Sequence, residues 1–370
     1  MIKIHLEGNM ESVFDLHIHY TFEIPLRETV DIFEQEFAHT DTKKGCFLSL
    51  PHHAKGDGVL FDSMQNLKGL YLKRAFSPNA YAFAGLEHPE SHHNENGAAE
   101  SFLSQAKKYM AVGFDGIKML EGYPSLIKNW GLPIDSDVYN SFYAFMEENG
   151  YPILMHAANP TENWDLATAS ADAVQAGRVY DSSYPTKAEI LAQVFRVMER
   201  FPRLTLILAH FGFMSDDLPM AQKFMAYPNT WLDTTPGGEQ CIRMQTEWGR
   251  WLPFWQKYQD RILYGTDFYA FPKDERWEES FMRRPKFLRQ FLETDTQHRY
   301  LDGEFFGVKL DKRLRDKIYR ENFMRLLGLP KAIDEGYIRR KAEQLSNASV
   351  AKTTIQSDDL AYILSNLSKR

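Results

Sequence analysis

The sequence contains little cysteine: Cys46 and Cys241 are the only two in 370 residues. Two cysteines are too few for a disulfide framework, and they lack the paired spacing of a zinc knuckle. This scarcity excludes a small secreted domain that depends on disulfides. We therefore expect a reducing, cytoplasmic environment.

Long apolar runs and stretches of a single charge sign are also missing. No segment approaches the roughly 18 apolar residues that cross a bilayer, and the N-terminus has no apolar signal region. Lys and Arg total 43 against 50 Asp and Glu, which gives a net charge of -7 with no basic stripe. These absences argue against a membrane and against nucleic acid as partners.

The patterns GxGxxG and GxxxxGK[ST] are missing too, whereas short apolar, β-rich runs alternate with longer stretches of helical periodicity. Such strands lie parallel and are joined by crossovers, and eight repeats predict a closed (β/α)8 TIM barrel in the α/β class. The predicted strands are 13–19, 46–50, 80–87, 114–120, 151–158, 204–210, 230–235 and 261–267. The predicted helices are 27–39, 61–74, 97–112, 136–149, 186–200, 216–226, 241–258 and 276–293.

Beyond the eighth repeat the sequence predicts extra C-terminal helices. One is expected over 312–327, with Gly328 after it and Pro330 as a stop signal. The barrel domain is expected to span 1–330, followed by a charged tail, helical in part, over 331–370. No low-complexity linker indicates a second folded domain.

The first strand carries two histidines near its end. Asp15, His17 and His19 alternate along it, so period-two geometry predicts that all three point into the barrel. Two imidazoles at i and i+2 on a strand can bind one ion. The pair alone is weak evidence, because such histidines are often only solvated or hydrogen-bonded.

Three later strands also end on side chains that can bind metal. His156 ends the fifth apolar run, His210 the sixth and Asp267 the eighth. The C-terminal ends of barrel strands open onto one face, so these residues are expected to converge with His17 and His19. Histidines with one carboxylate suit Zn²⁺ as the bound ion, and Mn²⁺, Fe²⁺ or Co²⁺ also bind such sites.

These residues resemble the amidohydrolase superfamily. The stretches LILAHFG, ILYGTDF and IYRENFMRLLGL are similar to the amidohydrolase-related group that includes aminocarboxymuconate-semialdehyde decarboxylase and several lactonases. The resemblance covers about 15–329. It implies that one divalent metal is held by four residues and that His210 stands beside it as a catalytic group. The implied ligands are His17, His19, His156 and Asp267.

The resemblance implies a metal-dependent hydrolase that cleaves an amide, cyclic amide or lactone of a small molecule with a metal-activated water. Asp267 or His210 could accept the proton of that water. The alternative is non-oxidative decarboxylation of an unsaturated or aromatic carboxylate on the same residues. Several decarboxylases of the family have Glu in place of the first His of H-x-H, so His17 favours hydrolysis. A scaffold without catalysis is disfavoured because every ligand is present.

Three further residues are second-rank candidates for the pocket or a second metal. Lys118 lies near the end of the fourth run, where binuclear members of the superfamily carry a carboxylated lysine. The favoured alternative is a lysine that binds a substrate carboxylate or pairs with Asp115 or Glu121. Glu87 ends the third strand and Tyr20 follows the histidine pair. By analogy with barrels of this group, a homodimer could form through the tail.

Overall fold

The structure is a computed structural model that describes residues 10–51, 58–88, 95–235, 240–271, 277–301, 303–349 and 352–367, with the backbone alone at 58–63, 95–100 and 277–281. In these ranges nine strands form one parallel sheet and two form an antiparallel hairpin. The parallel strands are β1 (Val13–Tyr20), β2 (Thr42–Leu48), β3 (Ala80–Gly85), β4 (Gly116–Gly122), β5 (Ile153–Ala157), β6 (Leu206–Leu208), β7 (Thr230–Asp233), β8 (Ile262–Leu263) and β9 (Phe268–Ala270). The hairpin, which the sequence did not predict, is β10 (Gln297–Tyr300) and β11 (Gly303–Phe306).

The order of strands in the sheet is β8-β7-β6-β5-β4-β3-β2-β1-β9. Its two outermost strands, β8 and β9, are separated in the chain only by residues 264–267. Within this connection Tyr264 O accepts a hydrogen bond of 3.0 Å from Leu16 N on β1. The sheet thus curls until its edges meet, and it fits a TIM-barrel-like α/β fold.

The eighth predicted strand, 261–267, is extended only at β8, and a second strand, β9, begins just after its predicted end. Asp267 has φ of 54°, a left-handed conformation that interrupts an extended strand. Thr266 is held against β1, since its N and Oγ1 donate to the Asp15 carboxylate over 3.1 and 2.5 Å. Gly265 allows this close approach, because a Cβ there would meet His17 Cβ at 3.0 Å.

Helices surround the sheet, and among those described none combines the length and apolar character that a bilayer crossing needs. They are α1 (Leu26–Thr40), α2 (Gly58–Ala75), α3 (Glu95–Val112), α4 (Pro124–Trp130), α5 (Asn140–Glu148), α6 (Ala171–Gln175), α7 (Lys187–Arg200), α8 (Leu218–Met225), α9 (Gln240–Thr246), α10 (Trp248–Lys257), α11 (Trp277–Glu293), α12 (Lys312–Asp316), α13 (Asn322–Leu327), α14 (Glu335–Asn347) and α15 (Thr354–Leu367).

Several helices differ from their predicted bounds. The helix predicted over 136–149 begins as a 3-10 turn at Asp137–Tyr139, and α4, which has Pro124 in its first turn, was not predicted. The stretch 241–258 forms α9 and α10 with a break at Glu247. A π-helical turn at Lys317–Glu321 joins α12 to α13.

The prediction that Asp15, His17 and His19 share one face is wrong, because β1 contains a bulge. Its pairing with β2 shifts register between Asp15 and Ile18. Leu16 packs in the inner core cluster with residues of β2, β3 and β5, whereas Ile18 packs in the outer cluster with the helices. The extra residue lets His17 face inward directly after Leu16, and it leaves Asp15 on the other side.

The chain after the barrel repeats packs onto α1 and α2 through charged side chains. Asp359 on α15 accepts a hydrogen bond of 2.5 Å from Leu26 N and lies 2.8 Å from Lys68 Nζ. Both side chains of this ion pair are almost fully buried. Glu335 on α14 pairs with Arg74 over 2.8 Å. Specific contacts thus join α14 and α15 to the helices around the sheet.

Candidate metal centre

His17 and His19 lie at the carboxyl end of β1, and the Nδ1 atom of each ring forms a hydrogen bond within the protein. His17 Nδ1 lies 2.7 Å from Asp233 Oδ2, and His19 Nδ1 lies 3.1 Å from Leu48 O. A carbonyl or carboxylate oxygen can only accept, so each Nδ1 carries the proton. Each Nε2 therefore keeps its lone pair.

The two Nε2 atoms point at each other across 2.9 Å. Asp267 Oδ1 lies 3.5 Å from each of them. Three electron-pair donors around one point repel one another unless a cation lies between them. This donor set fits a divalent metal.

Two other histidines, His156 and His210, are candidates for the next ligand atom. Ligand atoms of His17, His210 and Asp267 all lie within 4.8 Å of one another. The His156 ring lies 4.9 Å from the His210 ring, but its Nε2 contacts Asn159 Oδ1 at 3.3 Å. The structure thus brings all five predicted residues together and places His210 closer to the donor cluster than the predicted ligand His156.

Burial keeps these histidines neutral. It lowers the pKa of His17, His19 and His210 well below the usual value, and it lowers that of His156 to about 3. A neutral imidazole offers a lone pair, which is the form that binds a metal or accepts a proton. The cluster is therefore ready for a cation at neutral pH.

Asp267 is paired with an arginine on α11. Its Oδ2 lies 2.8 Å from Arg284 on α11, whose guanidinium also donates to the Asp267 carbonyl. Burial raises the pKa of Asp267 to about 6, while the charge of Arg284 opposes that rise. One carboxylate oxygen thus faces the histidines and the other faces a cation.

His210 sits in an unusual turn directly after β6. His210, Phe211 and Gly212 all have left-handed backbone, with φ of 56°, 54° and 61°. The turn is held by the His210 N–H, which donates to Asp233 Oδ1 and to Thr235 Oγ1 at 2.8 Å each. Residues at the end of β7 therefore fix the backbone of this turn.

Lys118 on β4 lies beside the cluster, with Nζ 3.5 Å from His17 Nε2. Burial lowers its pKa to about 8, although the nearby carboxylates oppose that change. The predicted pairing with Asp115 or Glu121 is not observed. Asp115 pairs with Lys73 over 2.7 Å and Glu121 pairs with His88 over 2.8 Å.

Glu87 and Tyr20 form hydrogen bonds outside the metal centre. A Glu87 oxygen accepts from Tyr109 and from Asn66, the latter at 3.2 Å. Tyr20 lies 2.7 Å from Ser49 Oγ and donates to a backbone carbonyl of α2. Neither lines the cavity above the metal centre.

That cavity has a volume of about 770 Å³, and His19, His156, His210 and Asp267 form part of its lining. Its lining also includes Tyr123 and several residues of 159–178. Trp164 and Tyr184 line a separate depression. The lining also includes basic residues from several elements, namely Lys118, Arg178, Arg243, Arg283 and Arg284.

Three functional positions were missed or left open by sequence reasoning. Asp233 lies two residues before the end of the seventh run, as His156 does in the fifth, so the rule that found His156 could also have selected it. Asn159 and Arg284 carried no such signal, because their proximity to the cluster depends on how a loop and α11 fold back.

One protein-family model matches this chain. Residues 94–329 match a family model described as Amidohydrolase. This match includes His156, His210 and Asp267 but begins after β1. Among curated proteins, none matches the sequence significantly.

Several solved structures are similar to this chain at low sequence identity. IDCase from Metarhizium anisopliae has 14% identity and a TM-score of 0.52, with 85% of this chain and 97% of that chain covered. The 4-oxalomesaconate hydratase of Rhodopseudomonas palustris has 15% identity and a TM-score of 0.50, with 85% and 95% covered. A 2,6-dihydroxybenzoate decarboxylase from Rhizobium has 18% identity and a TM-score of 0.47, with 86% and 99% covered.

Proposed function

Because this chain belongs to the amidohydrolase family, for which a divalent metal is expected, we propose that it is a metal-dependent enzyme acting on a small carboxylate. We further propose that its reaction is non-oxidative decarboxylation, the alternative considered from the sequence. The observation that carries this proposal is the basic cavity over the metal centre. Hydrolysis is the second candidate.

The lining of the cavity favours an anionic substrate. Its basic side chains number five, against three acidic ones, Glu162, Asp172 and Asp267. Arg243 contacts Glu162, and Arg284 pairs with Asp267. Of the basic lining residues, Lys118, Arg178 and Arg283 are therefore the better placed to meet a substrate carboxylate, for which guanidinium is the preferred partner.

Lys118 supplies what decarboxylation needs after CO₂ leaves. The C–C bond breaks with its electron pair on the substrate carbon, and that carbon must then take a proton. With a pKa near 8, the Lys118 ammonium is protonated at neutral pH yet is a stronger acid than an ordinary lysine. It can donate its proton to the carbon and regain one from solvent.

The metal would be held by His17, His19 and Asp267, with His156 or His210 as a further ligand. When bound, the ion supplies Lewis-acid polarisation of a substrate oxygen. Zn²⁺ suits this set of ligands, and Mn²⁺, Fe²⁺ and Co²⁺ are compatible with it. Arg284 orients Asp267, whose pKa of about 6 leaves the carboxylate charged at neutral pH.

Hydrolysis keeps support from two features. Both histidines of H-x-H are present, and His210 is a neutral base beside the donor cluster. His210 could take the proton of a water that attacks an amide or lactone carbonyl.

The deciding experiment incubates the metal-loaded protein with aromatic and unsaturated carboxylates, lactones and amides in D₂O. We expect released CO₂ and one deuterium at the carbon that carried the carboxylate. Lys118→Met should lower kcat by about 10²-fold or more, as for loss of a general acid, with metal content retained. Lys43→Met, an exposed lysine on β2, is the matched control.

Two outcomes would change the assignment. Hydrolysis of a lactone or amide without CO₂ would replace the first candidate by the second. CO₂ release that is insensitive to Lys118→Met would keep the reaction and remove Lys118 as the proton donor.

A further inference from the structure

We propose that Thr235 and Asp233 set the tautomer of His210, so that Nδ1 carries the proton and Nε2 is left as the acceptor for the cavity. Both are positioning residues in this scheme, because they act through His210. The proposal rests on the proposed function only in taking His210 as a group that meets the substrate. It applies equally to decarboxylation and to hydrolysis.

The protons around the Thr235 hydroxyl can be counted. Its oxygen lies 2.6 Å from Asp233 Oδ1, 2.8 Å from His210 N and 2.8 Å from His210 Nδ1. The backbone N–H can only donate and an ionised carboxylate can only accept. The single hydroxyl proton therefore goes to Asp233, and the remaining lone pair must accept a proton from His210 Nδ1.

Asp233 connects this arrangement to the metal centre. Oδ1 accepts from Thr235 and His210, while Oδ2 accepts from His17 Nδ1 at 2.7 Å. One buried carboxylate at the end of β7 thus orients a ring from β1 and a ring from β6. In both rings it leaves Nε2 without a proton.

The left-handed turn at His210 brings the backbone N–H of this residue to the same hydroxyl group that its ring contacts. Its backbone N–H is free to reach Asp233 and Thr235 because β6 has ended at Leu208. Main-chain and side-chain nitrogens of one residue therefore meet the same hydroxyl. Rotation of the ring would break the Nδ1 bond while the backbone bond remained.

The test is a two-bond ¹H–¹⁵N correlation spectrum of the full-length zinc-loaded protein labelled with ¹⁵N-histidine. The His210 signals are identified by their loss in His210→Asn. We expect His210 to show a protonated Nδ1 and an unprotonated Nε2. The Nε2–H form would overturn the proposal, because Asp233 would then carry a proton and Thr235 would donate to His210.

Variants at Thr235 separate positioning from mere packing. Thr235→Val removes the acceptor and should mix the two tautomers, lowering kcat by about 10- to 100-fold with little change in KM. Thr235→Ser keeps the hydroxyl and should restore both the spectrum and kcat. Thr230→Val, at the start of β7, where the hydroxyl bonds only to groups away from the cavity, is the control.

The spectrum separates failure of this proposal from failure of the proposed function. If Thr235→Val keeps the His210 signals of the parent protein, Thr235 does not set the tautomer, whatever the activity. If the tautomer changes as expected while no carboxylate, lactone or amide is turned over, the tautomer assignment stands and the proposed function fails.

Discussion

Two buried clusters of charged and polar groups differ in whether the chain itself supplies both charges. Under α15, Lys68 and Asp359 form an ion pair of 2.8 Å, and Lys68 also donates to Thr21 O. At the end of β1, two lone-pair nitrogens and a carboxylate oxygen face one another within 3.5 Å. In the first cluster the chain supplies both charges of the pair, whereas in the second three electron-pair donors face one another.

The difference shows which buried polar groups serve packing and which serve binding. A buried ion pair holds two elements together only while both charges are present. Electron-pair donors that face one another destabilise the folded chain, and binding of a cation between them offsets that cost. The strand ends are therefore where we expect this chain to bind a cation.

The largest effect is expected at the donor cluster. His17→Ala should abolish stoichiometric metal and lower activity by about 10³-fold or more, since a Lewis-acid metal contributes several kcal/mol. Metal content is measured by elemental analysis after dialysis, and activity is measured with the substrate found in the screen. An unchanged metal content would break the comparison between the two clusters.

The same measurement on His156→Ala and His210→Ala identifies the further ligand. We expect His156→Ala to lose metal, because the 3.3 Å bond to Asn159 is weak and can be released. His210→Ala should keep metal and lose kcat, because Thr235 and Asp233 hold that residue. The reverse result would assign the ligand role to His210.

An effect on stability alone is expected under α15. Asp359→Asn keeps the shape and the bond from Leu26 N but leaves the Lys68 ammonium buried without its partner. The free energy of unfolding should fall by about 3–5 kcal/mol, measured by urea unfolding. Asp358→Asn, an exposed neighbour, is the control, and metal content should change in neither variant.

The smallest effect is the pH dependence of metal affinity. The pKa of Asp267 is about 6, so its carboxylate is charged above that pH and becomes protonated below it. Affinity should be nearly constant from pH 8 to 6.5 and fall by about tenfold per pH unit below 6, as one proton competes with the metal. Titration calorimetry measures this.

The control for the pH dependence is Asp267→Asn. The variant should bind more weakly with a flatter profile, because the amide does not titrate. A slope that survives in this variant would assign the titration to another group, the histidines first.

Periodicity and residue type alone indicated much of this protein. Eight apolar runs predicted the parallel strands, because burial of both sheet faces selects such runs. Four of those runs ended on the residues now found together: His19, His156, His210 and Asp267. This was readable because parallel strands place their ends on one face whatever the helices between them do.

The local details depended on groups distant in the chain. The bulge in β1 that turns His17 inward, and the split of the eighth strand at Asp267, arise where Thr266 bonds to Asp15. Arg284 reaches Asp267 from a helix that has no pattern pointing to the site. None of these follows from spacing along the sequence, since each requires two segments more than ten residues apart to meet.

The sequence by itself determined the α/β repeat, the residue types of the metal centre and the family to which they belong. Only the tertiary structure decided which nitrogen of each histidine is free, since that depends on Asp233, Thr235 and Leu48 O. It also decided the charge of the cavity, because Arg178, Arg243 and Arg284 come from separate elements. Composition and periodicity act along the chain, whereas hydrogen bonds and charges act through space.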